Sequence, residues 1–239
     1  GIMLTTDEEI GGDNGVGMLI EEGYRAQVCV LPDGGDNWMI QSVCNGVWAI
    51  ELKASGKTAH GSKPWEGENA IDKLVAALED IRQLFKFKEP EKCTLTVSQM
   101  SGGKAFNQVP DHAEATLDMR FVDAACYNEK RSKVEHIAHK YDLQLKTVAQ
   151  VDPNITDLSH PEVSYFIETA ERITGKEIKS TRSTGSSDAR YFDAVNIPVI
   201  LIRPDGGGAH SENEWIDRQS LFQFYDVIKS YVIDTTRIT

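Results

Sequence analysis

Basic residues are the scarce charges of this 239-residue chain: 25 Lys and Arg stand against 37 Asp and Glu, a formal net charge of −12. That balance argues against a nucleic acid or an anionic membrane surface as the principal partner. Long apolar runs are missing as well, and nothing approaches the roughly 18 to 20 apolar residues that a membrane helix requires. Only four cysteines occur, Cys29, Cys44, Cys93 and Cys126, too widely spread for a C-x-x-C metal or redox motif. They read as reduced thiols of a cytoplasmic protein, with Cys29 and Cys126 packing beside apolar neighbours. The first fifteen residues hold acids and no basic stretch, which predicts no secretory leader there. Low-complexity segments and repeats of solenoid period are absent. What remains is a soluble globular composition, 40% hydrophobic and 26% charged, long enough for two modest domains.

The hydrophobic pattern divides the chain in three, at 1–45, 46–152 and 153–239. The first part predicts a strand over Gly1–Thr6, a helix over Gly15–Glu22 stopped by Gly23, a strand over Ala26–Leu31 and then a loop, the cadence of a parallel βαβ sheet. From Gly46 the order becomes β-α-β-β-α-β: strands at Val47–Ala54, Cys93–Met100, His112–Phe121 and Leu143–Ala149, with helices at Asn69–Phe85 and Ala125–His139. That is a ferredoxin-like unit, complete in itself. After Pro153 the first style returns, with a helix at Glu162–Gly175, a short strand at Glu177–Thr181, a helical turn at Asp188–Phe192, the apolar strand Pro198–Ile202 and a helix over Arg218–Asp234. The fold class is therefore α/β: an open, mostly parallel sheet with helices, interrupted by an inserted ferredoxin-like domain.

Ligands of open α/β sheets bind beyond the carboxyl ends of the strands. Three such places carry chemistry: Asp7, Glu8 and Glu9 behind the first strand, Asp33 in LPDGG behind the second, and RPDGGGAHSE, with Asp205 and His210, behind the apolar strand. Carboxylates and an imidazole are the ligand mix of catalytic zinc sites. In an extended segment neighbouring side chains diverge, so one of Glu8 and Glu9 would face a metal and the other a water or substrate, dividing ligand from general base. Each residue also has a plainer reading: DEE as a solvated turn, Asp33 and Asp205 as Pro-Asp-Gly turn residues, His210 as a surface histidine.

Six ordered motifs, TTDEEIGG, VLPDGG, SGKTAHGSKPWEGENAI, NQVPDHAEATLDMRF, TGSSDAR and GGGAHSENEWI, together resemble the dinuclear zinc peptidase and deacylase family. That family contains acetylornithine deacetylase, succinyl-diaminopimelate desuccinylase, aminoacylase and glutamate-releasing carboxypeptidases. The resemblance implies a metallopeptidase-type catalytic domain with an inserted lid and dimerisation domain, two zinc ions per site (cobalt and manganese being acceptable substitutes), and hydrolysis of amide bonds in N-acyl amino acids or small peptides. It implies Glu8 as the general base, Glu9, Asp33 and His210 as metal ligands, and His60 as the lid histidine that stabilises the oxyanion, in many members across a dimer interface. Asn107 and Arg120 resemble lid residues that contact substrate, Arg120 by pairing bidentately with a carboxylate. Thr184–Asp188, including Gly185 and Ser186, resembles the loop lining the substrate pocket, although Asp188 also suits a helix cap.

In that family a long segment before the acidic pair supplies a His-x-Asp ligand pair and a bridging aspartate. None precedes Gly1 here, so the resemblance implies an N-terminally truncated fragment, weak in metal binding and poor in turnover. The implied partners are a small substrate and a second copy of the chain paired through the lid, with neither nucleic acid nor membrane. The competing readings are a non-catalytic dimerisation or peptide-binding relative, and a nucleotide-binding protein using GGDNGVG. That loop lacks the G-x-x-x-x-G-K-[ST] pattern, and its leading acids would repel phosphate.

Overall fold

The computed structural model describes residues 1–85, 93–209 and 211–235. The chain forms two compact units, Gly1–Cys44 with Asn154–Thr239, and Asn45–Pro153. The first unit begins with α1 (Met18–Glu21), β1 (Cys29–Leu31) and β2 (Ile40–Cys44). The second contains β3 (Gly46–Ser55), α2 (Ala70–Arg82), β4 (Thr94–Gly102), β5 (His112–Phe121), α3 (Ala124–Lys140) and β6 (Leu143–Val151). The chain then completes the first unit with β7 (Asn154–Ile155), α4 (Pro161–Thr174), β8 (Ser180–Ser183), α5 (Ala189–Asp193), β9 (Val199–Leu201), the short bridge of β10 (Gly206–Gly207) with β11 (Trp215–Ile216), and α6 (Arg218–Thr235).

In the first unit, β1 pairs in parallel with β9, and β2 lies between antiparallel β7 and parallel β8. The three residues of β9 are all buried, as expected of a strand covered on both faces. Its side chains alternate between two cores. Ile200 joins Trp38, Phe166, Val227 and Tyr231, whereas Val199 and Leu201 join Val16, Ile20, Ala189 and Phe192. A residue period of two places consecutive side chains on opposite faces, so one apolar tripeptide serves both.

The second unit is an antiparallel sheet in the order β4-β5-β3-β6. Along β3, Trp48, Ile50, Leu52 and Ala54 are fully buried while the intervening residues are only half-buried. β5 repeats this with Ala113, Ala115, Leu117, Met119 and Phe121, and one apolar sheet face results. α2 covers it with Leu74, Ala77, Leu78 and Ile81, and α3 with Val134, Ile137 and Ala138. Each large aliphatic side chain withdrawn from water here contributes about 1.5–3 kcal/mol. The helix starts are fixed by side chains: Asn69 accepts from the backbone N of Ile71 at 2.9 Å, and Asp123 from that of Cys126 at 2.7 Å.

Four expectations need correction. Gly1–Thr6 forms no strand; among the described residues nothing pairs with it, and Ile2 and Leu4 are 91% and 89% exposed. β2 occupies what the sequence pattern leaves as loop. The strand expected at Glu177–Thr181 starts later, at Ser180. The four cysteines are not all free, because Cys93 and Cys126 form a disulfide within the second unit, with Cα atoms 6.8 Å apart. The first turn of α3 brings them together from 33 residues' separation. Cys29 and Cys44 are free, and burial pushes the Cys29 thiol up to about 11. No described helix is long and apolar enough to cross a membrane.

Candidate active site

The acidic motif is a turn of 3-10 helix, Glu8–Ile10, ended by Gly11 in the left-handed region at φ +114°. A 3-10 turn spaces neighbouring side chains by about 120°, not the 180° of a strand. Glu8 and Glu9 accordingly line the same cavity instead of facing apart. Gly11 is followed by Gly12, also left-handed at φ +68°, and the chain then winds through Asp13–Gly17 into α1. Such consecutive positive φ angles are open to glycine without steric cost.

Asp33 reaches the cavity from the turn after β1. That turn is tight: a Cβ on Gly34 would lie 2.4 Å from Leu201 Cδ2, and one on Gly35 would lie 2.0 Å from the Met39 carbonyl oxygen. The Gly35 N–H donates to Gln41 Oε1 at 3.0 Å, tying the turn to β2. β8 and the loop after it supply the opposite wall, including Arg182, Thr184, Ser186 and Ser187. Gly185 adjoins this wall, its N–H donating to Ser183 Oγ at 3.0 Å. The cavity encloses about 760 Å³ within the first unit and includes Ala209. His210 lies outside the described residues. Asp205 is structural: its carboxylate pairs with Lys176 at 2.8 Å, and its N–H donates to Ser220 Oγ at 2.8 Å.

Asp188 is the residue that sequence reasoning undervalued. It precedes α5 without capping it, is only 3% exposed, and stands on the cavity wall. A Cβ on Gly12 would lie 2.3 Å from its Oδ1, so the glycine makes room for the carboxylate. Burial raises its pKa; Asp7, Asp33 and Asp13 add to the rise, and Arg190 opposes it. Oδ2 of Asp7 accepts from the Asn14 N–H at 2.9 Å, whereas its Oδ1 is buried without a hydrogen-bond partner. Five acids of the first unit, Glu8, Glu9, Asp33, Asp36 and Asp188, thus line one cavity, with Asp7 and Asp13 close enough to act on Asp188. The signal for Asp188 is non-local, since it lies in the fit between Gly12 and the loop before α5. Among the described residues, no group of three or more His, Cys, Asp or Glu side chains is placed to hold a metal ion.

The remaining candidates belong to the second unit. His60 is exposed, and its Nδ1 lies 2.8 Å from Ser62 Oγ and accepts from the Ser62 N–H at 3.2 Å. The His60 loop joins the Asn107 loop through a Gly61 N–H to Asn107 carbonyl bond of 2.7 Å and a β-bridge between His60 and Gln108. Two candidates distant in sequence are thereby neighbours. Arg120, on the face of β5 away from the helices, donates Nε and Nη2 to the two oxygens of Asp118, each at 2.8 Å. Its fork is engaged by a neighbour two residues away.

Residues 45–145 match the model of the peptidase dimerisation domain. The chain is 26% identical over 231 residues to a putative succinyl-diaminopimelate desuccinylase of Mycobacterium tuberculosis, covering 92% of this chain and 62% of that protein. It is 24% identical over 251 residues to the succinyl-diaminopimelate desuccinylase of Sulfurimonas denitrificans, covering 98% and 67%. The fold is similar to that of aminopeptidase PepT from Bacillus cereus, with TM-score 0.81 and 20% identity over 95% of this chain and 62% of that one. It is also similar to a Staphylococcus aureus tripeptidase, with TM-score 0.77 and 22% identity over the same shares. The chain thus spans 62% of the length of the first of these relatives. Matched domain, relatives and fold agree with the six motifs: residues 45–145 carry the pattern of the peptidase dimerisation domain, and the chain as a whole is similar to desuccinylases in sequence and to peptidases in fold.

Proposed function

We propose that the complete protein is a metal-dependent hydrolase that cleaves an amide bond in N-acyl amino acids or small peptides. The observation that carries this reading is the meeting of Glu8, Glu9 and Asp33 on one cavity beside the buried Asp188. The carboxylate oxygens on the wall are donors that suit a divalent cation chemically, beside Arg182, Arg190 and Arg203; one oxygen of adjacent Asp7 is buried without a partner, and burial, with neighbouring aspartates adding, raises the Asp188 pKa. Glu9, Asp33 and His210 would hold zinc, with cobalt and manganese as alternatives. When bound, zinc supplies positive charge that polarises the scissile carbonyl and acidifies water.

Glu8 takes the proton from the attacking water and delivers it to the leaving amine. His60 donates to the oxyanion. The Ser62 N–H directed at Nδ1 makes that atom the acceptor and leaves Nε2 as the protonated nitrogen of the neutral ring. Asn107, fastened to the same loop, contributes a second polar contact, and Gly185 and Ser186 border the acyl or peptide chain. Arg120 must release Asp118 to receive a substrate carboxylate. The matched dimerisation domain supports a homodimer paired through the second unit.

The test uses protein expressed from the complete reading frame, loaded with zinc and offered N-succinyl and N-acetyl amino acids, dipeptides and tripeptides. Amine release is expected, and Glu8→Gln should lower kcat about 100- to 10,000-fold while metal binding is retained. Stoichiometric metal with no amine released from any of these substrates would overturn the proposal in favour of a non-catalytic relative.

A further inference from the structure

The acidic turn is gripped from one side by α5. Arg190 Nη2 donates to the Gly11 carbonyl oxygen and, at 2.8 Å, to the Tyr191 hydroxyl oxygen. Tyr191 Oη lies 2.7 Å from the same Gly11 oxygen and also reaches Asp13 Oδ1, so its single hydrogen is shared between them. The Arg190 guanidinium stacks 4.4 Å from the Tyr191 ring centroid, which locks the two side chains together. Tyr191 also fills the space beside Gly17, where a Cβ would meet its Cε1 at 2.9 Å. Burial and the bond to Asp13 push the phenol up to about 12, which keeps it protonated and donating at neutral pH. The loop over residues 11–17 therefore wraps the Arg190–Tyr191 pair, and its carbonyl anchor is the residue that ends the Glu8–Ile10 turn.

We propose that Arg190 and Tyr191 are positioning residues: by holding the Gly11 carbonyl and Asp13, they set the orientation of the turn that presents Glu8 and Glu9 to the cavity. The inference rests on the hydrolase reading for its kinetic consequence, but the mechanical part stands without it. Arg190 also borders the cavity, so an unchanged KM is what separates positioning from direct contact with substrate. Arg190 acts through two planar donors, one to Gly11 and one to the phenol, a pairing lysine reproduces only in part. Tyr191 acts through one hydroxyl, which phenylalanine removes while keeping the ring beside Gly17.

The experiment compares wild type, Arg190→Lys, Arg190→Ala and Tyr191→Phe, expressed from the complete reading frame. Amide hydrogen exchange is measured first, without substrate. In Arg190→Ala, peptides covering Glu8–Gly17 should lose protection while those covering β3 and β5 keep theirs, with Arg190→Lys intermediate. Kinetics come second. A misplacement of about 1 Å at a reacting group costs on the order of 100-fold, so Arg190→Ala should lower kcat by that order with KM within about twofold. Tyr191→Phe should lower it less. Unchanged exchange over Glu8–Gly17 in Arg190→Ala overturns the positioning role whatever the activity. Changed exchange with a dead wild type leaves the positioning intact and overturns the hydrolase reading. Changed exchange with an unaltered kcat shows that the turn's orientation does not matter and overturns the kinetic half of the proposal.

Discussion

Asp80 in the second unit and Asp188 in the first show how differently the two units treat a carboxylate. Asp80 accepts from Lys140 at 2.7 Å and from the Tyr141 hydroxyl at 2.9 Å, and those bonds hold its pKa below the ordinary value. Asp188 is buried, lies near three further aspartates, and is pushed the other way. The contrast extends to their neighbours. In the second unit Lys53 bridges Glu51 and Glu114, and Arg120 holds Asp118, so charges are neutralised locally above a sheet whose other face is sealed by helices. In the first unit Glu8, Glu9, Asp33, Asp36 and Asp188 line one cavity. One unit pairs its sheet-face charges locally, and the other gathers carboxylates on one cavity wall beside Arg182, Arg190 and Arg203.

If the contrast is real, cavity-forming substitutions should dominate the second unit. Leu117→Ala empties the centre of β5, where the side chain is fully buried between the two helices. The expected loss is about 2–5 kcal/mol, read as a lowered urea midpoint with the slope unchanged. A loss under about 1 kcal/mol would mean that the core relaxes to fill the space, and the contrast would weaken.

The first unit should instead be sensitive where backbone meets carboxylate. Gly12 and Gly175 have almost the same backbone angle, φ +68° and +69°, yet an added Cβ meets the Asp188 carboxylate at 2.3 Å in one case and open space in the other. Both alanine variants bear the left-handed penalty of about 1–2 kcal/mol. Gly12→Ala should cost more than Gly175→Ala by about 1 kcal/mol or more, the price of moving a buried polar group. Equal effects in a urea titration would show that Asp188 moves aside freely. A smaller effect is expected from Asn69→Ala, which removes the α2 cap and should cost about 1 kcal/mol. Its bonds to the backbone N atoms of Ile71 and Asp72 at 2.9 and 3.3 Å are the ones lost.

The same contrast governs what the sequence makes legible. The second unit is read almost entirely from alternation: HAEATLDMRF and GVWAIELKAS carry period two over ten residues each, and their helices begin at Asn69 and Asp123, side chains that cap. Local pattern suffices there because one face is covered and the other open. The first unit resists the method. β2 is five residues without clean alternation, following Asn37 and Trp38 at positive φ, and β9 is uniformly apolar because both its faces are buried. Ile2 and Leu4 look like a strand in sequence, but a strand exists only with a neighbour to bond. Glu8, Glu9 and Asp33 are legible as candidates because acids follow apolar runs. Asp188 and the Arg190–Tyr191 grip are not, because their partners lie 176 or more residues away, at Gly12, Gly11 and Asp13.

The smallest expected effect has the opposite sign and bears directly on the comparison. A carboxyl whose folded pKa is raised binds its proton more tightly folded than unfolded, so the folded state loses stability as pH rises from the unfolded value through the folded one. Asp188 is such a group, with burial as the first cause and Asp7, Asp33 and Asp13 as contributors. Asp80 runs the other way, its contribution present above the unfolded value and lost as pH falls through the folded one. With a chelator present to keep cations away, Asp188→Asn should therefore be more stable than wild type at neutral pH. The advantage should shrink toward the acid side, where the wild-type carboxyl takes up its proton. Asp80→Asn should be less stable at neutral pH and converge with wild type in acid. Urea midpoints measured across the acid range give both differences. If Asp188→Asn is destabilised at neutral pH with the chelator present, the carboxylate is better satisfied in the folded protein than its surroundings indicate, and the cluster of acids is not a store of repulsion that a cation would relieve.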